Sequence, residues 1–266
     1  MIPKIIHYCW FGGNPIPEFN KKCIESWKKY CPDYEIIEWN EGNIDLNSNN
    51  YMKEAYASRI WGFVPDVARL QIIYEYGGVY LDTDVELLKP LDDLLNNHAF
   101  MGIENGNTNT IALGLGFGAE KNDPLIKILL DDYNGRRFIK SDGTLDRTSA
   151  PMIQTAVLKK IGFNGKNIKQ TIMSAVIYPS EFFCPKSVIT GFLNVTKNTY
   201  SIHHYDASWY NEEQKNYKKN RLEIFNKYGS FFGRFVWAWR RFVNKLKKHG
   251  LKYTVSLIFH RINSSK

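Results

Sequence analysis

The sequence predicts an α/β domain with crossover helices over residues 1–210 and a separate helical extension over residues 211–266. Short β-rich runs alternate with runs of helical period in the order strand, helix, strand, helix, strand, the pattern of a sheet whose strands are joined by helices packed on its faces. Gly and Pro clusters separate the runs. Near residue 211 the composition turns basic and aromatic, with no internal repeat or low-complexity linker before it.

The elements follow in order. Residues 4–11, KIIHYCWF, read as a strand closed by Gly12-Gly13, with Pro15 and Pro17 behind it. Phe19, Cys23, Trp27 and Tyr30 recur at helical spacing before Pro32 ends the run, and YEIIEW (34–39) reads as a second strand. From Asp66 to Tyr76 the residues Val67, Leu70, Ile73 and Tyr74 form another helical stripe, ending at Gly77-Gly78 where a left-handed cap is easily made. VYLDTDVELL (79–88) is expected as a third strand, PLIKILLDDY and APMIQTAVLKK as helices, and SAVIYPSEFF and NTYSIHHY as strands. Sheets of this class bind ligands beyond the carboxyl ends of their strands.

With 44% hydrophobic and 23% charged residues in a chain of 266, a full core is expected and disorder is not. The N-terminus has neither the basic stretch nor the apolar run of an export signal, and no stretch of eighteen apolar residues occurs, so no spanning helix is expected. Cys9, Cys23, Cys31 and Cys184 match no zinc or redox spacing and are expected as reduced, buried, small apolar residues. Residues 214–266 hold fourteen Lys or Arg against one acid, a net of +13, which leaves the remainder at −5 of the total +8. The extension, not the body, is what a polyanionic surface would attract.

Three clusters carry chemistry. Asp82 and Asp84, two apart, would share one face of a strand, either as a solvated strand end or as ligands of a divalent cation such as Mn²⁺ or Mg²⁺ bridging to phosphates; their place directly after an apolar run, where unneutralised carboxylates are costly, favours the cation. Asp66 and Arg69, three apart at a helix start, can form a surface ion pair or a polar clamp on sugar hydroxyls. In Ser201 to Trp209 (SIHHYDASW), one of His203 and His204 should face the metal, and His203 is favoured; His204 is the alternative. Trp10, after a strand and beside two glycines, is a core residue or a platform for a planar base.

These segments resemble the DXD-type sugar-transferring family that includes capsular polysaccharide glycosyltransferases and the yeast initiating mannosyltransferases, and more distantly the large glucosylating toxins. IPKIIHYCWFGG resembles the opening strand, DVARLQIIYEYGGVYLDTDVELLKPLDDLL the central signature, and SIHHYDASW the late metal motif, spanning most of residues 2–209. The resemblance implies a GT-A type nucleotide-sugar-binding sheet and a metal-dependent, retaining hexosyltransferase working with Mn²⁺ or Mg²⁺. It implies a nucleotide-sugar donor, UDP-sugar ahead of GDP-sugar, and a glycan or lipid-linked glycan acceptor of surface polysaccharide synthesis. By position, Asp66 and Arg69 hold the donor sugar and Asp82 reaches ribose and sugar hydroxyls. Asp84 and His203 bind the metal; Trp10 stacks on the base; Tyr80, Ser208 and Trp209 also belong to the donor side. Pro65 departs from the family's usual Ser, and Ala150-Pro151 from its Gly-Pro.

Two other classes compete. Asp82-Thr83-Asp84-Val85 also fits the nucleophile motif of aspartyl-phosphate phosphatases, although some eighty residues with their own strands precede it. A non-enzymatic module binding polyanions or membranes would rest on the extension alone. There Phe232, Phe235, Trp239, Phe242 and Leu246 recur at three and four, with Arg234, Arg240, Arg241, Lys245, Lys247 and Lys248 supplying positive charge. That composition suits an interfacial helix on an anionic membrane from about residue 229 to 266, at the cytoplasmic inner face, or a stripe packed on protein; nucleic acid is not expected.

Overall fold

A computed structural model of the chain describes residues 1–106, 108–206 and 212–263, with side chains described to residue 247 apart from 214 and 245. The chain divides into two compact units, residues 1–188 with 192–209, and residues 189–191 with 210–266.

The first unit has the expected α/β class. Seven strands make one sheet: β1 (Ile5–Cys9), β2 (Glu35–Trp39), β3 (Gly78–Tyr80), β5 (Ala99–Gly102), β6 (Phe117–Ala119), β7 (Gln170–Ile172) and β8 (Ala175–Tyr178), in the order β2-β1-β3-β6-β5-β8-β7. β4 (Val85–Leu87) and β9 (Ser201–His203) form a separate antiparallel pair. β1 pairs in parallel with both β2 and β3, while β6 lies antiparallel beside β3. The chain thus leaves β1 for β2 on one side and returns to β3 on the other, the switch point at which open α/β sheets bind ligands.

Helices α1 (Glu18–Tyr30), α2 (Asn50–Ala57), α3 (Pro65–Tyr76), α4 (Pro124–Asn134), α5 (Ala150–Lys160) and the single turn α6 (Ser180–Phe183) complete the unit. Pro65 takes the first helical position of α3, where its missing N–H costs nothing. Along β1 the side chains alternate: Ile6 and Tyr8 join the cluster around Trp27 of α1, whereas Cys9 joins the cluster around α3, α4 and α5. The buried stripe of α1 is Asn20, Cys23, Ile24 and Trp27, one position round from the expected stripe, so Phe19 is exposed with its ring edge-on to His204. All four cysteines are free and buried.

At the end of α3, Gly77 has φ +70, and a Cβ on Gly78 would meet Ile5 O at 2.8 Å. His7 fixes this joint: its Nε2 lies 2.9 Å from Gly77 O and its Nδ1 accepts Trp39 Nε1–H at 3.1 Å. Those partners require the neutral Nε2–H tautomer, and burial pushes the imidazole down to about 4.

In the second unit α7 (Glu212–Asn263) does not run straight. Gly229 has φ +70, and the rings of Tyr217 and Trp237 meet at 4.9 Å. Twenty residues of straight helix would hold them about 30 Å apart. The chain therefore folds back at Gly229, and the expected aromatic helix begins after that turn. Phe231, Phe232, Phe235 and Trp239 are 63–67% exposed. Among the described residues, no helix is long and apolar enough to cross a membrane.

Candidate active site

The expected strand 79–88 is two strands in different sheets. Leu81 N–H still donates to His7 O, and then Asp82-Thr83-Asp84 turns, closed by Val85 N–H to Asp82 O at 3.0 Å. The two carboxylates are therefore gathered by a turn and not by strand alternation. The break has a tertiary cause, because β4 is held by residues far away in sequence. Trp27 Nε1 donates to Val85 O at 2.7 Å, Leu87 N–H donates to Ser26 Oγ at 2.9 Å, and buried Asn20 donates to Thr83 Oγ1 at 3.0 Å. α1 thereby braces the residue between the two acids.

The β4–β9 pair places His203 opposite Val85. His203 Nε2 lies 3.3 Å from Asp84 Oδ1 and 3.8 Å from Asp82 Oδ2, and ligand atoms of the three residues all fall within 4.8 Å of one another. His204 points away, its Nε2 2.8 Å from Glu86 Oε2. Two carboxylates and an imidazole make a hard, partly nitrogenous donor set, which Mn²⁺ accepts more readily than Mg²⁺ does. Three protein ligands would leave positions for phosphate oxygens. Burial alone would lower His203, but Asp84 and Asp82 outweigh it and the imidazole is raised.

Asp66 and Arg69 are buried beside this turn. Arg69 Nη2 is 3.2 Å from Asp66 Oδ1 and 3.6 Å from Asp82 Oδ1, its Nε–H donates to Pro65 O at 2.8 Å, and its guanidinium lies over the Tyr80 ring at 5.0 Å. The surface-pair alternative is thereby excluded for these two residues. One guanidinium is thus shared between a buried carboxylate, Asp66, and a partly exposed one, Asp82. Burial would raise Asp82, but Arg69 and His203 hold it low; burial pushes Asp66 up to about 7, against Arg69 and with the charge of Asp82. Near neutrality Asp66 is then partly protonated and can donate as well as accept.

Trp10 is half-buried, and its Nε1–H donates to Asn14 O at 2.6 Å. Tyr80, expected on the donor side, is 1% exposed, and the Arg69 guanidinium lies over its ring. Ser208 and Trp209 lie outside the described residues.

The geometry adds groups that the sequence reading missed. Asp82 N–H donates to Gly114 O at 3.2 Å; a Cβ on Gly114 would overlap Asp82 Oδ2 and lie 3.1 Å from Arg69 Nη1. The signal available was the glycine-rich run ALGLGFG after the acids. Tyr205, with φ +56, turns the chain after β9 and lays its ring on His203 at 4.2 Å. Asp206 N–H then reaches Asp84 Oδ2 at 2.8 Å. Such a left-handed non-glycine residue is strain held in place by its neighbours.

A switch-point sheet thus brings together a paired-carboxylate turn and a histidine that could hold a metal ion, beside a buried Asp–Arg pair. Comparison with known proteins agrees: residues 17–101 match the family model described as a glycosyltransferase sugar-binding region containing a DXD motif. The resemblance seen in the sequence is borne out over this segment, which supports the sugar-transfer reading of Asp82-Thr83-Asp84 over the aspartyl-phosphate one. The chain is 35% identical over 109 residues to inositol phosphoceramide mannosyltransferase 1 of Schizosaccharomyces pombe, covering 38% of this chain and 33% of that protein. It thus spans about a third of that relative's length. It is 25% identical over 194 residues to an uncharacterized glycosyltransferase of Acanthamoeba polyphaga mimivirus, covering 70% of this chain and 77% of the other. Among solved structures it is similar to the PaToxG glycosyltransferase, at TM-score 0.44 and 20% identity, covering 60% of this chain and 69% of that one.

Proposed function

We propose that the chain is a metal-dependent, retaining glycosyltransferase of GT-A type that moves a hexose from a nucleotide sugar, UDP-sugar first and GDP-sugar second, to a glycan or lipid-linked glycan acceptor. The observation that carries this reading is the convergence of Asp82, Asp84 and His203 within 4.8 Å at the end of β3, against the buried Asp66–Arg69 pair. Asp84 and His203 would hold Mn²⁺ or Mg²⁺, which when bound neutralises charge on the donor diphosphate. Asp66, Arg69 and Asp82 would fix the donor sugar through its hydroxyls, and Trp10 would stack on the base. A front-face route, in which the donor's own phosphate oxygen accepts the acceptor's proton, needs no protein nucleophile. Mannose transfer to a lipid is what the name of the S. pombe relative describes, and it is one form this activity could take.

The second unit would hold the enzyme peripherally on an anionic membrane at the cytoplasmic face, where capsular or other surface polysaccharide is built on lipid-linked acceptors. Its support is the net +13 of residues 214–266 together with the exposed rings of Phe231, Phe232, Phe235 and Trp239. The deciding experiment is a thermal-shift screen of UDP- and GDP-sugars with Mn²⁺ or Mg²⁺, since a ligand that binds only the folded state raises its stability. Stabilisation that needs both nucleotide and metal is expected; a screen in which no combination shifts the transition overturns the reading.

A further inference from the structure

Lys186 follows α6 in the segment Cys184-Pro185-Lys186, which is laced to the residues after β9. Cys184 Sγ lies 2.9 Å from Tyr205 Oη and 3.4 Å from Lys186 O, and Lys186 Nζ–H donates to His204 O at 3.1 Å. His204 N–H in turn donates to Asp84 O at 3.0 Å. The ammonium is therefore anchored one residue from His203 and one ladder bond from Asp84. A carbonyl occupies one of its three donors. Among the described residues, no carboxylate lies within ion-pair distance of this half-buried group. Arg69, by contrast, has two acids. A half-buried ammonium with no carboxylate partner among the described residues, bonded to the carbonyl next to a candidate metal ligand, is suited to an anion arriving with the ligand.

We infer that Lys186 is a catalytic residue that binds the diphosphate of the nucleotide-sugar donor and stabilises the charge it gains on leaving. The inference rests on the sugar-transfer reading above. In that reaction the bond from the sugar's anomeric carbon to the phosphate oxygen breaks and its electron pair stays on the diphosphate. The acceptor oxygen bonds to the same carbon, and the acceptor's proton passes to the diphosphate. Lys186 remains an ammonium throughout and acts on the developing charge.

The test is calorimetry of Mn²⁺ alone, then of UDP and of GDP in the presence of Mn²⁺, on wild type, Lys186→Gln and Lys186→Arg. Lys186→Gln should weaken nucleoside diphosphate binding roughly ten- to a hundredfold, the scale of a lost charge-assisted hydrogen bond. Lys186→Arg should recover most of it, and Mn²⁺ binding alone should stay within about twofold, because the ammonium is assigned to the anion and not to the metal. Equal loss of Mn²⁺ affinity would reduce Lys186 to a brace for the loop and overturn the inference. So would unchanged nucleotide affinity. If wild type binds neither nucleotide, the functional reading itself fails. Should Lys186→Gln not fold, acetylation of wild-type Lys186, followed by mass spectrometry, decides: protection by Mn²⁺ with UDP or GDP supports the assignment, and an unchanged rate overturns it.

Discussion

The turn at Asp82-Thr83-Asp84 and the helix after Gly229 both expose chemistry, but in opposite ways. At the turn each group has assigned partners: Asp82 has Arg69, Asp84 has Asp206 N–H and His203, and Thr83 has Asn20. After Gly229 four aromatic rings stand mainly in solvent, with Arg234, Arg240 and Arg241 among them. A site that must hold a geometry fixes individual residues. A surface that needs only charge and apolar area fixes a composition, so many sequences would serve.

The comparison breaks first, and most severely, at Asp84. Asp84→Asn keeps the shape and removes one unit of ligand charge, so metal-dependent turnover should fall at least a hundredfold, beyond the 10–100-fold typical of outer-shell losses, with the melting temperature little changed. Turnover that keeps its metal dependence and its rate would remove Asp84 from the site. At the second region no single residue should matter that much. Replacing Arg234, Arg240 and Arg241 together by Gln should weaken sedimentation with anionic vesicles up to about a hundredfold, at roughly 1 kcal/mol per basic group near the surface, and leave nucleotide binding unaltered. Equal binding of wild type and triple variant, or none by wild type, would dispose of the membrane assignment.

How far the sequence could be read follows the same division. The strand–helix–strand order, the cap at Gly77-Gly78 and the alignment of Asp66 with Arg69 were legible because local periodicity and spacing specify them. The split of residues 79–88 was not, because Val85 and Leu87 look like a continuing strand until Trp27, Ser26 and His203 claim them from more than fifty residues away. The contact between the Tyr80 ring and Arg69 was hidden for a related reason: it joins a helix to the following strand. The fold-back at Gly229 was hidden because a single glycine within a helical pattern usually costs only propensity. Gly114 was hidden because a glycine's role lies in what its missing Cβ leaves room for.

That last residue gives a sharper test of the clamp. Gly114→Ala would press a methyl group into Asp82 Oδ2 and Arg69 Nη1. Since the displaced atom is the end of a side chain, the backbone can persist while the carboxylate swings away. Turnover should fall about tenfold, an effect of roughly 1.4 kcal/mol on the barrier, with a smaller change in unfolding free energy. A stability loss that exceeds the activity loss would make Gly114 a packing residue instead.

The smallest expected effect is a pH dependence in the first unit. Asp66 is raised from its ordinary range to about 7 by burial. For such an acid the folded state holds its proton while the unfolded chain releases it, so stability falls as pH climbs from about 4 towards 7. Asp82, held low, contributes in the opposite sense, and that contribution is lost only as pH drops below the ordinary carboxylate range. His203, raised, loses its contribution only as pH rises above about 6.5. Between pH 4.5 and 6, therefore, Asp66 is the group of the three that acts. Thermal unfolding of wild type and Asp66→Asn across that window should diverge by a few degrees, with wild type losing stability relative to the variant as pH rises. Parallel unfolding curves for the two proteins would show that Arg69 keeps Asp66 ionised, and the clamp would then be a fixed ion pair with no proton to give.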